Sequence, residues 1–233
     1  MSNTLNKQLE ELYNSKIDGI RAVKSELERA GINDYSSPLL LYVWEEDYTT
    51  APVKLMIVGQ ETNGWFDADR TAENVTSAIE EYKKFDLGRN YNTTFWLWAH
   101  KINKLLGNPD TNSFLWNNIL KYGRNDGKGA PDEVVTALEN SKFNVIKEEI
   151  AILKPDVCIF LTGPNYDNKI VTKFPDVEMR QFNSYPEREV ARLESVSLPM
   201  HSYRTYHPGF GQRNFDWYTE VFESIAKSVK QSR

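Results

Sequence analysis

The stretch Val53-Lys-Leu-Met-Ile-Val-Gly59 is a short apolar run that opens directly into the polar loop Gln60-Glu-Thr-Asn-Gly64. A run of this length, rich in aliphatic residues and closed by glycine, predicts a buried strand rather than a helix. A polar loop at its carboxyl end is where open α/β sheets place their ligand sites. The same pattern returns late in the chain. Ser202–Tyr206 predicts another strand, and it ends in Tyr206-His-Pro-Gly-Phe-Gly-Gln-Arg213. Between the two lies Leu115-Trp-Asn-Asn-Ile-Leu120, an apolar segment carrying two amides. The Gln-Glu loop, the Asn and the His-Pro loop are expected to make one polar pocket.

Working outward, strands alternate with helices. Residues 4–30 predict an amphipathic helix closed by Gly31, and Leu39–Trp44 a short helix or strand. Helices are expected over residues 71–86, Phe95–Leu106, Ser141–Leu153, after the strand-end loop Gly163-Pro-Asn165 to about Phe174, and over Phe215–Val229. Val157–Thr162 and Val177–Phe182 supply two further strands, and residues 123–131 (GRNDGKGAP) predict a loop. Four strands joined through helices imply an α/β fold with a parallel sheet between helical layers and right-handed crossovers. Residues 1–50 are expected as a helical extension packed on a domain spanning 51–233.

Composition narrows the classes. The 233 residues are 40% hydrophobic and 12% aromatic, enough for a packed core. No apolar run reaches membrane length, and the polar stretch from Met1 to Lys7 predicts no signal peptide, so an intracellular, monomeric protein without a membrane partner is expected. The single cysteine, Cys158, excludes an internal disulfide and a cysteine-ligated zinc or iron–sulfur centre; a buried, inert thiol is expected. Acidic runs such as Glu45-Glu-Asp47 have no histidines at ligand spacing, so neither a metal nor an organic cofactor is expected. Glycine-rich dinucleotide, P-loop and Gly-x-Ser-x-Gly motifs are absent. The net charge of −5 disfavours a large nucleic-acid footprint, but it is unevenly spread. Residues 1–50 hold five Lys/Arg against nine Asp/Glu, whereas residues 201–233 hold five against three.

In these motifs the chain resembles the uracil-DNA glycosylase superfamily. Gly59-Gln-Glu-Thr-Asn-Gly64 stands where that family carries Gly-Gln-Asp-Pro-Tyr-His or Gly-x-Asn-Pro-Gly after its first strand. His207-Pro-Gly-Phe210 stands where it carries His-Pro-Ser-Pro after its last. Leu115-Trp-Asn-Asn-Ile-Leu120 is similar to the family's Leu-Leu-Asn-x-Val-Leu. The resemblance covers residues 53–230 and implies a three-layer α/β/α fold around a four-stranded parallel sheet. Three slots depart from the family: Glu61 replaces Asp or Asn, Asn63 replaces a Tyr that blocks the thymine methyl, and Gly209 replaces a phosphate-binding Ser.

What the resemblance implies is a hydrolase for the N-glycosidic bond of a deaminated or modified base in DNA, working on a flipped nucleotide. Glu61 would stabilise the oxocarbenium-like sugar and position water, and His207 would hydrogen-bond the leaving base. Gln60, Asn63 and Asn117 (or Asn118, one register on) would contact the base, with Phe66, Trp65 or Phe95 stacking on it. Gly209 and Phe210 would meet DNA, Phe210 as a wedge, and Arg204 and Arg213 would contact phosphates. His100 and His201 are expected to be structural or solvated. Two other classes fit the same residues: a non-catalytic module on this fold binding nucleic acid or a protein, and an enzyme on free nucleosides or nucleotides.

Overall fold

The apolar run forms strand β1, Leu55–Gly59, with all five residues buried. The computed structural model describes residues 4–127 and 129–232. Five more strands follow: β2 (Phe114–Asn118), β3 (Val157–Phe160), β4 (Glu178–Gln181), β5 (Val190–Glu194) and β6 (His201–Thr205). They form one sheet in the order β2-β1-β3-β6-β5-β4. β1 runs parallel to β3, with Leu55 opposite Val157, and β3 runs parallel to β6, with Val157 opposite His201.

The four-stranded parallel sheet expected from the sequence is corrected here: the fold is α/β, but the sheet has six strands and is mixed. β5 lies antiparallel to β6 and β4 antiparallel to β5. Connection length explains this. Residues 182–189 join β4 to β5 and residues 195–200 join β5 to β6, both shorter than the dozen or so residues a parallel crossover needs. The run 177–182 therefore becomes an antiparallel edge strand, three of whose four residues are exposed.

The chain gathers into two compact units. Unit 1 takes Met1–Val43, Gln60–Phe85 and Asn117–Leu153; unit 2 takes Trp44–Gly59, Asp86–Trp116 and Lys154–Arg233. Unit 1 is helical. The helix expected over 4–30 is two, α1 (Leu5–Ser15) and α2 (Ile17–Arg29), separated at Lys16. Thr4 caps α1 by accepting from the Lys7 amide, and the apolar positions Leu9, Tyr13, Ile20, Val23 and Leu27 are all buried. Likewise extended Asn74 divides the helix expected over 71–86 into α4 (Ala68–Glu73) and α5 (Val75–Phe85). The helix expected over Ser141–Leu153 is shorter, α8 (Ile146–Leu153): Ser141 and Lys142 instead end α7 (Glu133–Lys142), and residues 143–145 are not helical. α2 and α7 cross closely at Gly19, where a Cβ would lie 2.1 Å from the Lys142 carbonyl oxygen. The stretch expected as a short helix or strand at 39–44 is irregular, with Leu39, Leu40, Leu41 and Val43 fully buried.

Unit 2 holds the sheet, apart from the last two residues of β2, with α3 (Glu45–Thr50), α6 (Thr94–Leu105), α9 (Asp167–Lys173) and α10 (Phe215–Gln231). α10 buries Tyr218, Val221, Phe222, Ile225, Ala226 and Val229 at helical spacing. Trp98 of α6 meets its Phe215, Tyr218 and Phe222 rings at 4.8, 5.6 and 5.1 Å. Cys158 in β3 is fully buried, and burial pushes its thiol far above the ordinary range, so it is an inert core residue.

Candidate functional site

The residues expected at the site divide between the two units, and each group has its own geometry. In unit 1 the loop after β1 is held by the segment that follows β2. Leu120 donates its amide to the Gln60 carbonyl (3.0 Å), and Gly64 donates to the Arg124 carbonyl (2.8 Å). Gly123 packs so tightly on Thr62 that a Cβ would come within 2.0 Å of its carbonyl oxygen. Ser36 and Thr62 share a hydroxyl hydrogen bond at 3.2 Å. Asp34 fixes the other end of this segment: it accepts from the Asp126 and Asn125 amides at 2.9 Å each and from Arg124 Nε at 2.6 Å. Those donors hold the Asp34 carboxyl below its ordinary range, the Asp126 amide first and Arg124 next. On this frame Gln60 and Glu61 are half-buried and Asn63 is exposed. Phe66 is half-buried, with the Arg70 guanidinium 4.9 Å over its ring.

Asn117, expected to read the base, is corrected by its surroundings. It is fully buried, and its Oδ1 accepts from Lys121 Nζ (2.5 Å) and from the Asn118 amide (2.8 Å). Its Nδ2 donates to Glu149 Oε2 at 2.9 Å. With two donors on Oδ1 the acceptor capacity is used, so Asn117 has no acceptor left for a base edge. Asn118, the neighbouring register, is also buried.

The partners of Asn117 form a cluster that was missed in the sequence. Lys121 Nζ lies 2.7 Å from the Glu149 carboxylate, and both side chains are almost wholly withdrawn from solvent, at 2% and 0% exposure. Tyr13 donates its hydroxyl to Glu149 Oε1 at 2.7 Å and accepts from the Leu41 amide at 3.1 Å. Glu139, also fully buried, accepts from the Lys121 amide at 2.9 Å and the Tyr122 amide at 3.2 Å. Burial, then the Glu149 charge, pushes the Tyr13 phenol well up, so it stays a neutral donor. One signal was visible: Glu149 falls on the apolar face Ile146-Ile150-Leu153, where a carboxylate requires a partner.

In unit 2 the centre is His207. Its Nδ1 accepts from the Gly209 amide at 3.0 Å, which places the proton of the neutral ring on Nε2. The ring stacks on Phe95 of α6 at 5.6 Å and 19°. Tyr218 of α10 donates its hydroxyl to the His207 carbonyl at 2.7 Å, which fixes the backbone. Burial lowers the His207 pKa, so the imidazole is neutral at pH 7. Gly209 also gives the ring room: a Cβ there would sit 3.1 Å from Nδ1.

The two arginines differ. Arg204, expected as a phosphate contact, is corrected to a buried structural cation, 1% exposed. Its Nη2 donates to Asp167 Oδ2 at 3.0 Å and to the Glu187 carbonyl at 3.1 Å, its Nη1 donates to the Arg188 carbonyl at 2.9 Å, and its Nε lies 2.8 Å from Asp167 Oδ1 as an ion pair, so the guanidinium is engaged inside the fold. Arg213 is half-buried, bonded to Glu189 at 2.6 Å, and lies 5.5 Å over Tyr206 and 5.3 Å over Trp217. Phe210 stacks on Tyr206 at 4.5 Å. His100 and His201 have structural partners, the Leu87 carbonyl and the Tyr203 hydroxyl.

Among the described residues no three His, Cys, Asp or Glu side chains gather closely enough to hold a metal ion. No described helix is long and apolar enough to cross a membrane. No protein-family profile matches the chain, and a search of curated proteins finds no match.

Proposed function

We propose that this chain is a uracil-DNA glycosylase-like hydrolase that releases a deaminated or modified base from DNA. The three-layer α/β/α arrangement and an intracellular setting belong to the same proposal. The observation that carries it is the state of His207. A neutral imidazole locked by Gly209 with its proton on Nε2 is a hydrogen-bond donor suited to a carbonyl oxygen that gains negative charge as a pyrimidine departs. The positions of the motifs agree with this reading. β1 and β6 flank β3 in parallel, and the Gln-Glu and His-Pro motifs begin at their carboxyl ends.

In this reaction the bond from the anomeric carbon to the base nitrogen breaks, and its electron pair leaves with the base. Nε2–H of His207 donates to the base oxygen that carries the resulting charge. Glu61 stabilises the cationic sugar and takes a proton from the water that adds to the anomeric carbon. The products are an abasic sugar and a free base, which regains its proton from solvent. Gln60, Asn63 and Phe66 are assigned to base contact, and Gly209, Phe210 and Arg213 to the DNA strand. Asn63 in place of a methyl-blocking tyrosine widens the range of 5-substituted bases accepted.

The test is alkali-labile strand cleavage on oligonucleotides carrying uracil, hypoxanthine, xanthine or 5-substituted uracils, single- and double-stranded, with Glu61→Gln beside the native chain. Cleavage by the native chain that the variant loses is expected. No cleavage of any substrate at high protein concentration would overturn the reading for these bases.

A further inference from the structure

Among the described residues no carboxylate bonds the His207 imidazole. The segments around it are uncharged: residues 94–98 at the start of α6, residues 163–165 after β3 and residues 208–212 that follow the histidine. On α10 the neighbour is Tyr218, whose phenol burial pushes up to about 12, against the nearby charge of Arg213, so it stays a neutral donor. In such surroundings the orientation of the ring must come from packing and from neutral hydrogen bonds.

Hydrogen bonding alone does not complete it. The Gly209 amide fixes Nδ1, but one bond leaves an imidazole free to tilt, because the torsion about its Cβ–Cγ bond has broad wells. The phenyl ring of Phe95 removes that freedom. It lies 5.6 Å from the imidazole, centroid to centroid, and within 19° of parallel, so a tilt of His207 closes on the phenyl face. Phe95 is half-buried and braced in turn. Trp96 meets it edge-on at 5.0 Å, and Trp116 meets Trp96 edge-on at 5.0 Å. Trp96 also backs onto Gly88, where a Cβ would come within 2.1 Å of its ring. From the other side, Tyr218 holds the His207 carbonyl while its ring packs 5.6 Å from Trp98, one turn along α6 from Phe95. Backbone, Nδ1 and ring plane are thus each fixed by a different contact. Nε2 is left without a hydrogen-bond partner among the described residues.

We propose that Phe95 is a positioning residue: its face sets the plane of the His207 imidazole, and with it the line along which Nε2–H donates to the departing base. The chemical half of this role rests on the glycosylase reading; the anchoring of the ring does not. Direction matters because an N–H donor weakens steeply once its angle falls below about 120°. Misplacement of a reacting group by about 1 Å costs on the order of 10²-fold in rate. Phe95 acts through the imidazole, not on the substrate.

Long-range proton–nitrogen NMR of the three histidines between about pH 5 and 8 reads the ring nitrogens directly, with His207→Gln assigning the signal. The native protein is expected to show His207 as the Nε2–H tautomer with a pKa below 6.5. Phe95→Leu keeps an apolar side chain but has no flat face. It is expected to raise that pKa and to mix the two tautomers, with His100 and His201 unmoved, whereas Phe95→Tyr keeps the native signals. Phe95→Met, also non-planar, is expected to act as Phe95→Leu does and serves if the latter fails to fold. In base release, Phe95→Leu should lower kcat at least about tenfold with KM changed less than about twofold, and Phe95→Tyr should recover most of the loss. A folded Phe95→Leu or Phe95→Met protein whose His207 keeps the native tautomer and pKa would overturn the proposal, as would a loss confined to KM. The two readings fail separately. Cleavage at the native rate by Phe95→Leu sinks the positioning role and leaves the glycosylase standing. Displaced His207 signals with no cleavage by the native chain sink the glycosylase and leave the anchoring standing.

Discussion

Protonating His207 means placing a cation against Phe95 and turning the Gly209 amide toward a second N–H. Burial accordingly holds its pKa below 6.5, and His100 is lowered too, by burial foremost and then by Arg89. The sign of the pH effect follows. Between the unfolded histidine pKa of about 6.5 and the lower folded values, the unfolded chain binds more protons, so stability falls as pH falls through that window. Urea unfolding at pH 7.5 and pH 5.5 should show this loss, and His100→Gln together with His207→Gln should shrink it. Gly88 is the sharpest single position. Its left-handed φ and the 2.1 Å approach of the Trp96 ring to a built Cβ predict that Gly88→Ala costs about 2–4 kcal/mol, read as a lower denaturation midpoint. At this scale the sequence was partly legible. His207 stood out because a His-Pro pair closed a strand, and it occupies a defined setting. Arg204 misled because a strand-end arginine looks the same in sequence whether it faces phosphate or Asp167. Asn117 misled for a related reason: its partners Lys121 and Glu149 come from an irregular segment and a later helix, and no local pattern joins them.

Among elements, the cluster of Tyr13, Asn117, Lys121 and Glu149 joins α1, β2 and α8 within unit 1 through buried polar contacts. Removing one charge leaves the other buried and unpaired. Lys121→Met is therefore expected to destabilise by about 3–5 kcal/mol, and Lys121→Met with Glu149→Leu by less than the sum of the two single changes. Denaturant titrations of the four proteins close that cycle; additive losses would mean the pair is not coupled. Elements were the most legible level. Apolar runs gave β1, β3 and β6, and helical periodicity gave α6 and α10 with ends within two residues. β5 was not legible: Val-Ala-Arg-Leu-Glu carries two charges in five residues and no apolar run to announce a strand, and its pairing comes from β6 beside it. The breaks at Lys16 and Asn74 were hidden for another reason, since each continues the apolar spacing of the helices on either side.

For the whole molecule, residues 9–43 supply side chains to unit 1's interior. Leu9, Tyr13, Val23, Leu27 and Leu39 are all fully buried. A protein beginning at Trp44 should therefore lose folded unit 1, seen as early protease cleavage within 60–85 and 117–153 and a fall in helical circular dichroism. Equal protease resistance in that shortened protein would refute this account of the core. The order of segments has a temporal consequence during synthesis. Unit 1 has all of its chain once residue 153 has left the ribosome, whereas the sheet must wait for β6, which lies between β3 and β5. Until residue 205 emerges, β3 and the β4–β5 hairpin have no strand to join them. The nascent sheet thus presents two edges that the finished sheet closes, those of β3 and β5, for the time it takes to make residues 195–205, the interval in which a chaperone would have most to protect.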